Sequence, residues 1–362
     1  MSENTEMSYT YGKDERSAVD AKFEAQKIAF APIMFQAARV MRNLGILDTI
    51  QDHRKEGITI ELIAKKLKLS IYGVKVLVEA GLGAEILLVK EGKFFLTKTG
   101  WFLVNDKLTK VNMDYSHDVN YQGFFELEES ITNGKPEGLK VFGDWETIYQ
   151  GLSILPEKAR DSWFAFDHYY SDISFPEIMP IIFENKPKKI LDIGGNTGKF
   201  SIKCTEYNPD VKMCILDLPV QLKVANKNIK NKGLENRIET QKHDVLDNTQ
   251  AFPKGFDIIW MSQFLDCFSQ EQIVDIIKKA KDALSNEGAL YIMELYWDKQ
   301  KYEAATYSLQ ATSLYFTCLA NGNSQMYHHL DMLKLIDKAG MKVIEEKDQI
   351  GITHTLYKCV KK

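Results

Sequence analysis

The strongest constraint on the fold is an alternation of strand-like and helix-like segments in the C-terminal half of the chain. The strand-like segments are KKILDI (188–193), VKMCILDL (211–218), RIETQKHDV (237–245), FDIIWMSQF (256–264) and ALYIMEL (289–295). Amphipathic helical stretches separate them, which predicts βαβ units and therefore an α/β domain with a mostly parallel sheet. The last segment, MKVIEEKDQIGITHTLYKCVK, holds two strand-like runs with no helix between them. It predicts an antiparallel hairpin at the sheet edge.

The N-terminal region has a different pattern. Apolar residues recur at helical spacing between residues 23 and 44 and predict a long apolar helix. Thr59 and Ser70 are suitable N-caps for the two helices that follow. The segment EILLVKEGKFFLTKTG predicts two strands around a turn at residues 91–93. Helix, helix and hairpin in this order are typical of a winged-helix domain.

These changes in pattern divide the 362 residues into four parts. Residues 1–20 are polar and are predicted to be a flexible tail, and residues 21–106 are the predicted winged-helix domain. Residues 107–175 are rich in aromatic side chains and predict a helical connector. Residues 176–362 are the predicted α/β domain.

Composition excludes several classes of protein. The net charge is −4, so no global attraction to nucleic acid or anionic membranes is expected. No apolar run reaches 18 residues, and the N-terminus lacks the apolar core of a secretory signal. Five cysteines without a CxxC pair argue against a disulfide framework. We therefore expect a cytoplasmic protein that does not bind membranes or nucleic acid.

A glycine-rich turn, DIGGNTG (192–198), joins the first predicted strand of the α/β domain to a helix. Such a junction lets backbone N–H groups approach a nucleotide-like ligand. Asp217 ends the second strand, 19 residues after Gly198, where a carboxylate can accept both hydroxyls of a ribose. Asp244 ends the third strand. Three carboxylates at the ends of successive strands predict a ligand crevice at this edge of the sheet.

The motifs LDIGGNTG, LDLP, HDV, FDIIWMSQFLDCFS and ALYIMEL together resemble S-adenosylmethionine-dependent O-methyltransferases of the plant caffeate and bacterial polyketide type. The resemblance runs from about residue 25 to the end. It implies a Rossmann-like methyltransferase domain preceded by a winged-helix dimerisation domain. It also implies that the methionine part of the cofactor lies at the glycines, the ribose at Asp217 and the adenine at Asp244 and Val245. The predicted cofactor site comprises Asp192, Gly194, Gly195, Gly198, Asp217, Leu218, Asp244, Val245 and Ser262. Asn196 replaces the third glycine of the family turn, and asparagine tolerates positive φ well.

The acceptor side departs further from the family. Asp266 stands where the resemblance places a catalytic His, and Glu294 stands where it places the first of two Glu residues that position that His. The second Glu has no counterpart in residues 322–325. A carboxylate with a pKa near 4 is a weak base for a phenol with a pKa near 10. Burial with Glu294 could raise the pKa of Asp266, the acceptor could be more acidic, or a histidine could act instead: His168, His328 or His329.

The segment from Ala304 to Leu330 contains no charged residue, apart from histidine, and predicts a buried helix and a turn beside a pocket or subunit interface. The connector, this segment and the ends of the fourth and fifth strands supply the predicted acceptor contacts. These are Phe166, Tyr169, Tyr170, Gln263, Phe264, Trp297, Phe316, Met326 and Tyr327.

The resulting hypothesis is a homodimeric S-adenosylmethionine-dependent methyltransferase without a metal. It acts on a small aromatic or polyketide-like acceptor, most readily at oxygen, with Asp266 and Glu294 as catalytic residues. The alternatives are N- or C-methylation, non-methylating chemistry, or a winged-helix regulator that uses the cofactor fold as a sensor.

The sequence argues against a regulator. The helix that would contact DNA, residues 70–80, offers only Lys75 as a cation. We expect the apolar face of Ile28, Met34, Ala37 and Met41 to form a dimer interface instead.

Overall fold

The computed structural model describes residues 11–362. It divides the chain into two compact units, one that ends at Ser116 and one that runs from His117 to Lys362. The first unit extends past residue 106 because the helix Lys107–Tyr115 belongs to it, and Arg42 forms an ion pair with Asp114 on that helix.

The first unit contains six helices and a hairpin within its described residues. The helices are α1 (Ala18–Asn43), α2 (Ile46–Asp52), α3 (Ile60–Leu67), α4 (Ile71–Gly83), α5 (Lys98–Asn105) and α6 (Lys107–Tyr115). The predicted caps are confirmed. Thr59 accepts the backbone N–H of Leu62, and Ser70 accepts that of Gly73. Each bond satisfies one of the free N–H groups at a helix start.

The hairpin of this unit pairs β1 (Leu87–Lys90) with β2 (Lys93–Leu96). Its turn consists of Glu91 and Gly92, with φ angles of 49° and 72°. Two consecutive residues with positive φ suit the right-handed twist of a two-residue hairpin. Lys93, which the sequence assigned to the turn, is the first residue of β2 and pairs with Lys90.

The second unit begins with a largely helical region. A π-helical turn (Ser116–Asn120) precedes α7 (Leu127–Asn133), α8 (Ile148–Gly151), α9 (Glu157–Asp172) and α10 (Phe175–Ile182). The sheet region then contains, in chain order, β3 (Lys189–Ile193), α11 (Lys199–Tyr207), β4 (Lys212–Asp217), α12 (Pro219–Asn231), β5 (Ile238–Lys242), β6 (Phe256–Ser262), α13 (Gln270–Ala283), β7 (Leu284–Glu294), α14 (Glu303–Tyr315), α15 (His329–Lys338), β8 (Met341–Ile350) and β9 (His354–Lys361).

Seven strands form one sheet in the order β5-β4-β3-β6-β7-β9-β8. The first five are parallel, while β9 pairs antiparallel with both β7 and β8. This confirms the predicted α/β class and the predicted antiparallel hairpin at the edge. Strands β3 and β4 are buried almost throughout, and separate apolar clusters lie on the two faces of the sheet. The carboxyl ends of the parallel strands therefore form one edge, where loops can build a site.

The uncharged segment forms most of α14 and a π-helical turn, Phe316–Ala320. The predicted helix and turn are present, but the helix is only partly buried. Tyr307, for example, is 74% exposed, whereas the π-helical turn is mostly buried. No helix within residues 11–362 is long and apolar enough to cross a membrane.

Candidate active site

The glycine-rich turn lies between β3, which ends at Ile193, and α11, which begins at Lys199. Gly194 and Gly198 have φ angles of 73° and 78°, a region that favours glycine. A Cβ atom on Gly194 would lie 2.3 Å from the Phe264 ring. The turn therefore needs glycine at this position both for its backbone conformation and for its packing.

Asn196 also adopts a positive φ, of 49°, so the prediction that asparagine preserves this turn is confirmed. Its backbone N–H donates to Oδ2 of Asp217 at 2.8 Å, and its side-chain Nδ2 donates to Oδ2 of Asp167 at 3.1 Å. Asn196 therefore joins the turn to one carboxylate on β4 and to another on α9.

Asp217 is the last residue of β4, and burial raises the pKa of its carboxyl to about 6, although hydrogen bonds from Asn196 and Leu218 oppose the rise. Its Oδ1 accepts the backbone N–H of Leu218 at 2.7 Å. A carboxylate has about four acceptor positions, and these two backbone groups occupy two of them. Two positions remain, as many as a ribose diol requires.

The other predicted cofactor residues occupy different depths at the same edge. Asp192 is 2% exposed and accepts the Ser201 hydroxyl at 2.6 Å, and burial raises its pKa to about 7. Asp244 is exposed and follows β5 rather than ending it, because the strand stops at Lys242. Val245 packs in the apolar core. Asp192 thus supports the turn from below, whereas Asp217 and Asp244 lie nearer the surface.

A pocket lies beside the glycine-rich turn. Its walls come from the turn itself, from α9 and from the end of β6, and they include Asp167, His168, Asp172, Gly194, Gly195, Asn196, Lys199, Ser262 and Gln263. Lys199 forms an ion pair with Asp172 at 2.7 Å. The pocket therefore combines backbone N–H groups, several carboxylates and one paired cation.

Asp266 and Glu294 form a buried pair on the acceptor side. Oε1 of Glu294 accepts the backbone N–H groups of Phe264 and Leu265 at 3.0 and 2.9 Å, which fixes the turn that carries Asp266. Burial and the charge of Asp266 raise the pKa of Glu294 well above its usual value. Burial also raises the pKa of Asp266, to about 6. The two buried carboxyl groups therefore both have a raised pKa, as expected for neighbouring acids in an apolar site.

Aromatic hydroxyl groups surround this pair. Burial raises the pKa of Tyr149, Tyr315 and Tyr327, and the negative charge of Asp266 raises each of them further. Tyr315 accepts the indole N–H of Trp163 at 2.7 Å. Sequence reasoning included Tyr327 but missed Tyr149, Trp163 and Tyr315, because an aromatic residue in a helical pattern does not reveal which side of the helix faces a site.

Asp167 is the most informative residue that the sequence did not indicate. It lies on α9, lines the pocket and accepts the Asn196 side chain. Burial, followed by the charges of Asp266 and Asp172, raises its pKa to about 7. It therefore lies within electrostatic range of both the cofactor turn and the acceptor side.

The predicted acceptor residues have different surroundings in the structure. Gln263 lines the pocket, and Phe264 covers Gly194. The rings of Phe166 and Tyr170 pack against each other on α9. Phe316, Met326 and Tyr327 are buried, and the Tyr327 hydroxyl donates to the carbonyl of Phe268 at 2.6 Å. Trp297 packs edge-on against His328.

Comparison with known proteins identifies both parts of the chain. Residues 22–94 match the family model described as a Dimerisation2-like domain, and residues 178–342 match the O-methyltransferase domain. Residues 178–342 belong to the O-methyltransferase domain family. The chain is a methyltransferase, and its cofactor is S-adenosylmethionine.

The similar proteins match from two fifths to more than nine tenths of the chain. It is 23% identical over 317 residues to an L-tyrosine C(3)-methyltransferase from Streptomyces lavendulae, covering 86% of this chain and 85% of that protein. A 3-hydroxy-5-methyl-1-naphthoate 3-O-methyltransferase from Streptomyces sahachiroi is 29% identical, over 40% of this chain and 41% of that protein. Among solved structures, the apo methyltransferase SibL has a TM-score of 0.71 at 23% identity, covering 93% of this chain and 98% of SibL. These similarities confirm the predicted fold.

The residues of this methyltransferase fit its cofactor. Gly194 and Gly195 carry no side chain, so their backbone can approach a ligand closely, and a Cβ atom on either would collide with Phe264, Ile215 or Asp192. Asp217 keeps acceptor positions for a ribose, and carboxylates beside the pocket suit a sulfonium cation. The site therefore provides shape, hydrogen bonds and charge for S-adenosylmethionine.

A second cluster joins Asp298, His328 and His329, whose potential ligand atoms all lie within 4.8 Å of one another. Nδ1 of His328 accepts the backbone N–H of Leu330 at 3.1 Å, so the proton of a neutral ring lies on Nε2, which faces Asp298. The ring of His329 also bonds Asp298. Burial raises the pKa of Asp298, but the bonds from His329 outweigh this and lower it. Hydrogen bonds therefore explain why these three side chains lie together. A metal ion at Nε2 of His328 would have to displace the proton on that nitrogen, which disfavours a metal site there.

Proposed function

We propose that this enzyme transfers a methyl group from S-adenosylmethionine to a hydroxyl oxygen of a small aromatic molecule. The observation that carries the proposal is the buried pair of Asp266 and Glu294. Asp266 follows β6 and Glu294 is the last residue of β7, so both lie at the sheet edge that also holds the glycine-rich turn. It supplies two buried carboxyl groups whose pKa values are both raised.

The proposed chemistry depends on proton removal and alignment. Bound S-adenosylmethionine supplies an electrophilic methyl group, so the acceptor oxygen needs only to be deprotonated and aligned with it. With a pKa of about 6, Asp266 lies about four units below a phenol, rather than six. Glu294 keeps Asp266 in place through the Phe264 and Leu265 amides. In this proposal Asp266 takes the phenol proton, and alignment by the aromatic walls supplies much of the remaining acceleration.

The surroundings of Asp266 support an aromatic acceptor. Tyr149, Tyr315 and Tyr327 lie within electrostatic range of its carboxylate, and Trp163 is hydrogen-bonded to Tyr315. Flat rings pack well against such side chains. Similar proteins act on tyrosine and on a hydroxynaphthoate, according to their names.

The test is a methyl-transfer assay with phenols, catechols, hydroxynaphthoates, enols and amines. We expect S-adenosylhomocysteine to form with at least one phenolic acceptor, and mass spectrometry and NMR to locate the new methyl group on oxygen. Transfer to amines alone, with every phenol inert, would contradict the proposal.

Methylation at carbon is the second candidate. The L-tyrosine C(3)-methyltransferase is similar over 86% of the chain, a longer match than that to the naphthoate O-methyltransferase. An ionised phenol is nucleophilic at its ortho carbon as well as at oxygen, so the same base serves both reactions. A product with a carbon–methyl signal and a free phenol would favour this candidate.

We also propose that the enzyme is a homodimer assembled through its N-terminal domain. Helix α1 exposes several large apolar side chains, including Ile28 at 77% and Ile33 at 65%. Met41, which the sequence assigned to the same interface, is instead completely buried in the core of its own unit.

Light scattering at micromolar concentration tests the dimer and should give twice the chain mass. The double variant Ile28→Lys/Ile33→Lys should be monomeric, whereas Lys27→Glu, an exposed control on α1, should remain dimeric.

The remaining parts of this proposal concern location and partners. We place the enzyme in the cytoplasm with a small-molecule acceptor and without a nucleic-acid partner. The exposed side of α4 presents Ile71, Tyr72 and Val76, and Lys75 lies 3.8 Å from Glu79. Few cations are left there for phosphate contacts. A gel shift with mixed genomic fragments at physiological salt should show no complex, and sequence-selective binding would instead favour a regulator.

A further inference from the structure

Gln263 has a strained backbone at the end of β6. Its φ angle is 46°, although it is not glycine and its backbone N–H still donates to the carbonyl of Met293 in β7 at 3.0 Å. Seven non-glycine residues within residues 11–362 have positive φ, and two of them, Gln263 and Asn196, line the pocket beside the glycine-rich turn. Strain of this kind persists where the surrounding structure holds a side chain in a required position.

His354 holds the Gln263 side chain from behind. It is the first residue of β9, is completely buried, and its Nε2 lies 3.2 Å from Oε1 of Gln263. In the tautomer that carries its proton on Nε2, His354 donates this bond to the amide oxygen. Burial lowers the pKa of His354 to about 4, so its ring stays neutral near pH 7.

This bond fixes the orientation of the Gln263 amide. Its oxygen is occupied by His354, which leaves the NH₂ group with two donors. In the described part of the chain no group accepts a hydrogen bond from that nitrogen. Two donors therefore remain available in a pocket that also contains the carboxylates of Asp167 and Asp172.

We propose that Gln263 forms an oxyanion subsite and that His354 is its positioning residue. The bound group is either the carboxylate in the methionine part of the cofactor or the ionised hydroxyl of the acceptor. Both are anionic oxygen acceptors, which form the stronger class of hydrogen bonds with N–H donors. This inference rests on the proposed function, because it assigns a role in binding the two substrates of that reaction.

The decisive variant is Gln263→Gly. Glycine adopts the positive φ without strain but leaves the buried His354 ring without its partner, so the two effects on stability oppose each other, while the donor group is lost. We expect about a 10- to 100-fold loss of affinity for the oxyanion, the usual effect of removing a hydrogen bond to a charged group. Gln349→Gly is the matched control, since Gln349 has a φ of 62° and is exposed on β8. It should relieve strain in the same way without changing affinity.

Two measurements distinguish the two anions. If the cofactor carboxylate is bound, calorimetry should show weaker S-adenosylhomocysteine binding in the Gln263→Gly variant. Binding of methylthioadenosine, which lacks the amino-acid part, should then be unchanged. If the acceptor oxygen is bound, cofactor affinity should stay constant while kcat/KM for the best phenol falls. Gln263→Gly with parental values for both would overturn the inference, whereas a parent that binds no S-adenosylhomocysteine would overturn the proposed function as well.

The role of His354 has its own test. His354→Leu removes the N–H and should reproduce most of the binding loss seen with Gln263→Gly. His354→Gln places an amide N–H at a similar reach and should restore affinity. If His354→Leu lowers only the melting temperature and leaves both kcat/KM and S-adenosylhomocysteine affinity at parental values, His354 is structural and the positioning role is wrong.

Discussion

The proposed cofactor side and the proposed acceptor side of the site are built in different ways. The cofactor side consists of a continuous turn, residues 192–198, and the ends of β3 and β4, which are neighbours in the sheet. On the acceptor side, Asp266 is surrounded by Tyr149, Tyr315 and Asp167, which come from three separate helices. A site made from strand ends keeps its geometry when loops change. A site made from distant helices can change its acceptor without disturbing the cofactor.

This contrast makes Asp266 the residue whose change should affect only one side. Asp266→Asn keeps the shape but removes the base, so we expect methyl transfer to fall by about 10²–10⁴-fold. Calorimetry with S-adenosylhomocysteine should give an affinity close to that of the parent. Equal transfer rates in the parent and the Asp266→Asn variant, with the best acceptor found, would show that Asp266 is not the base.

A change at Asp217 should have the opposite selectivity. Asp217→Ala removes the charged acceptor proposed for the ribose hydroxyls, at a cost of about 1.5–3 kcal/mol, or roughly 10- to 150-fold in cofactor affinity. Asp210→Ala is a suitable control, because Asp210 is an exposed carboxylate that pairs with the exposed Lys188. Calorimetry should separate the two variants, and unchanged affinity in the first would remove the ribose assignment.

Asp167 offers a test based on pH. Its pKa is about 7 in the folded protein and near 4 when unfolded, so folding takes up a proton between these values. The contribution of Asp167 to the free energy of unfolding is therefore largest below pH 4, and it decreases as the pH rises to about 7. Asp167→Asn removes this loss, so at pH 8 it should be more stable than the parent by about 1–3 kcal/mol, and by less at pH 5.

Denaturant unfolding at the two pH values would measure this difference. Asp161→Asn is the control, since Asp161 lies on the same helix with an exposed side chain. A stability gain from Asp167→Asn that is equal at pH 5 and pH 8 would mean that Asp167 has an ordinary pKa.

The smallest effect is expected for Asn196→Gly, which restores the family turn. Glycine fits the φ of 49° without strain but is more flexible when unfolded, so the free energy of unfolding should change by less than about 1 kcal/mol. The hydrogen bond that lowers the pKa of Asp167 would be lost, so that pKa should rise. NMR titration of the Asp167 carboxyl would detect the rise, and an unchanged pKa would mean that this hydrogen bond is unimportant.

The sequence predicted the local structure of the glycine-rich turn well because local rules determine it. Strand ends, positive-φ positions and helix starts are fixed by a few neighbouring residues, as the turn at 192–198 and the caps Thr59 and Ser70 illustrate. The resemblance to a family then assigned roles to Asp217 and the glycines. Strand ends were less accurate, since β5 stops before Asp244 and β7 begins at Leu284 rather than Ala289.

The acceptor side was predicted less completely because it depends on contacts between distant segments. Asp167 and Asn196 are 29 residues apart, and His354 and Gln263 are 91 apart. No periodicity links such positions. Met41 shows the same limit in the N-terminal unit, because an apolar residue on a helix can face its own core or a partner, and the sequence pattern is the same for both.

Asn196 contacts both sides of the site, through its backbone to Asp217 and through its side chain to Asp167. It gives the two binding events a shared physical connection. Thermodynamic linkage makes any such coupling reciprocal: if bound cofactor changes acceptor affinity by some factor, bound acceptor changes cofactor affinity by the same factor. The dissociation constants for cofactor, measured with and without a saturating acceptor, therefore report on the cooperation between the two sides.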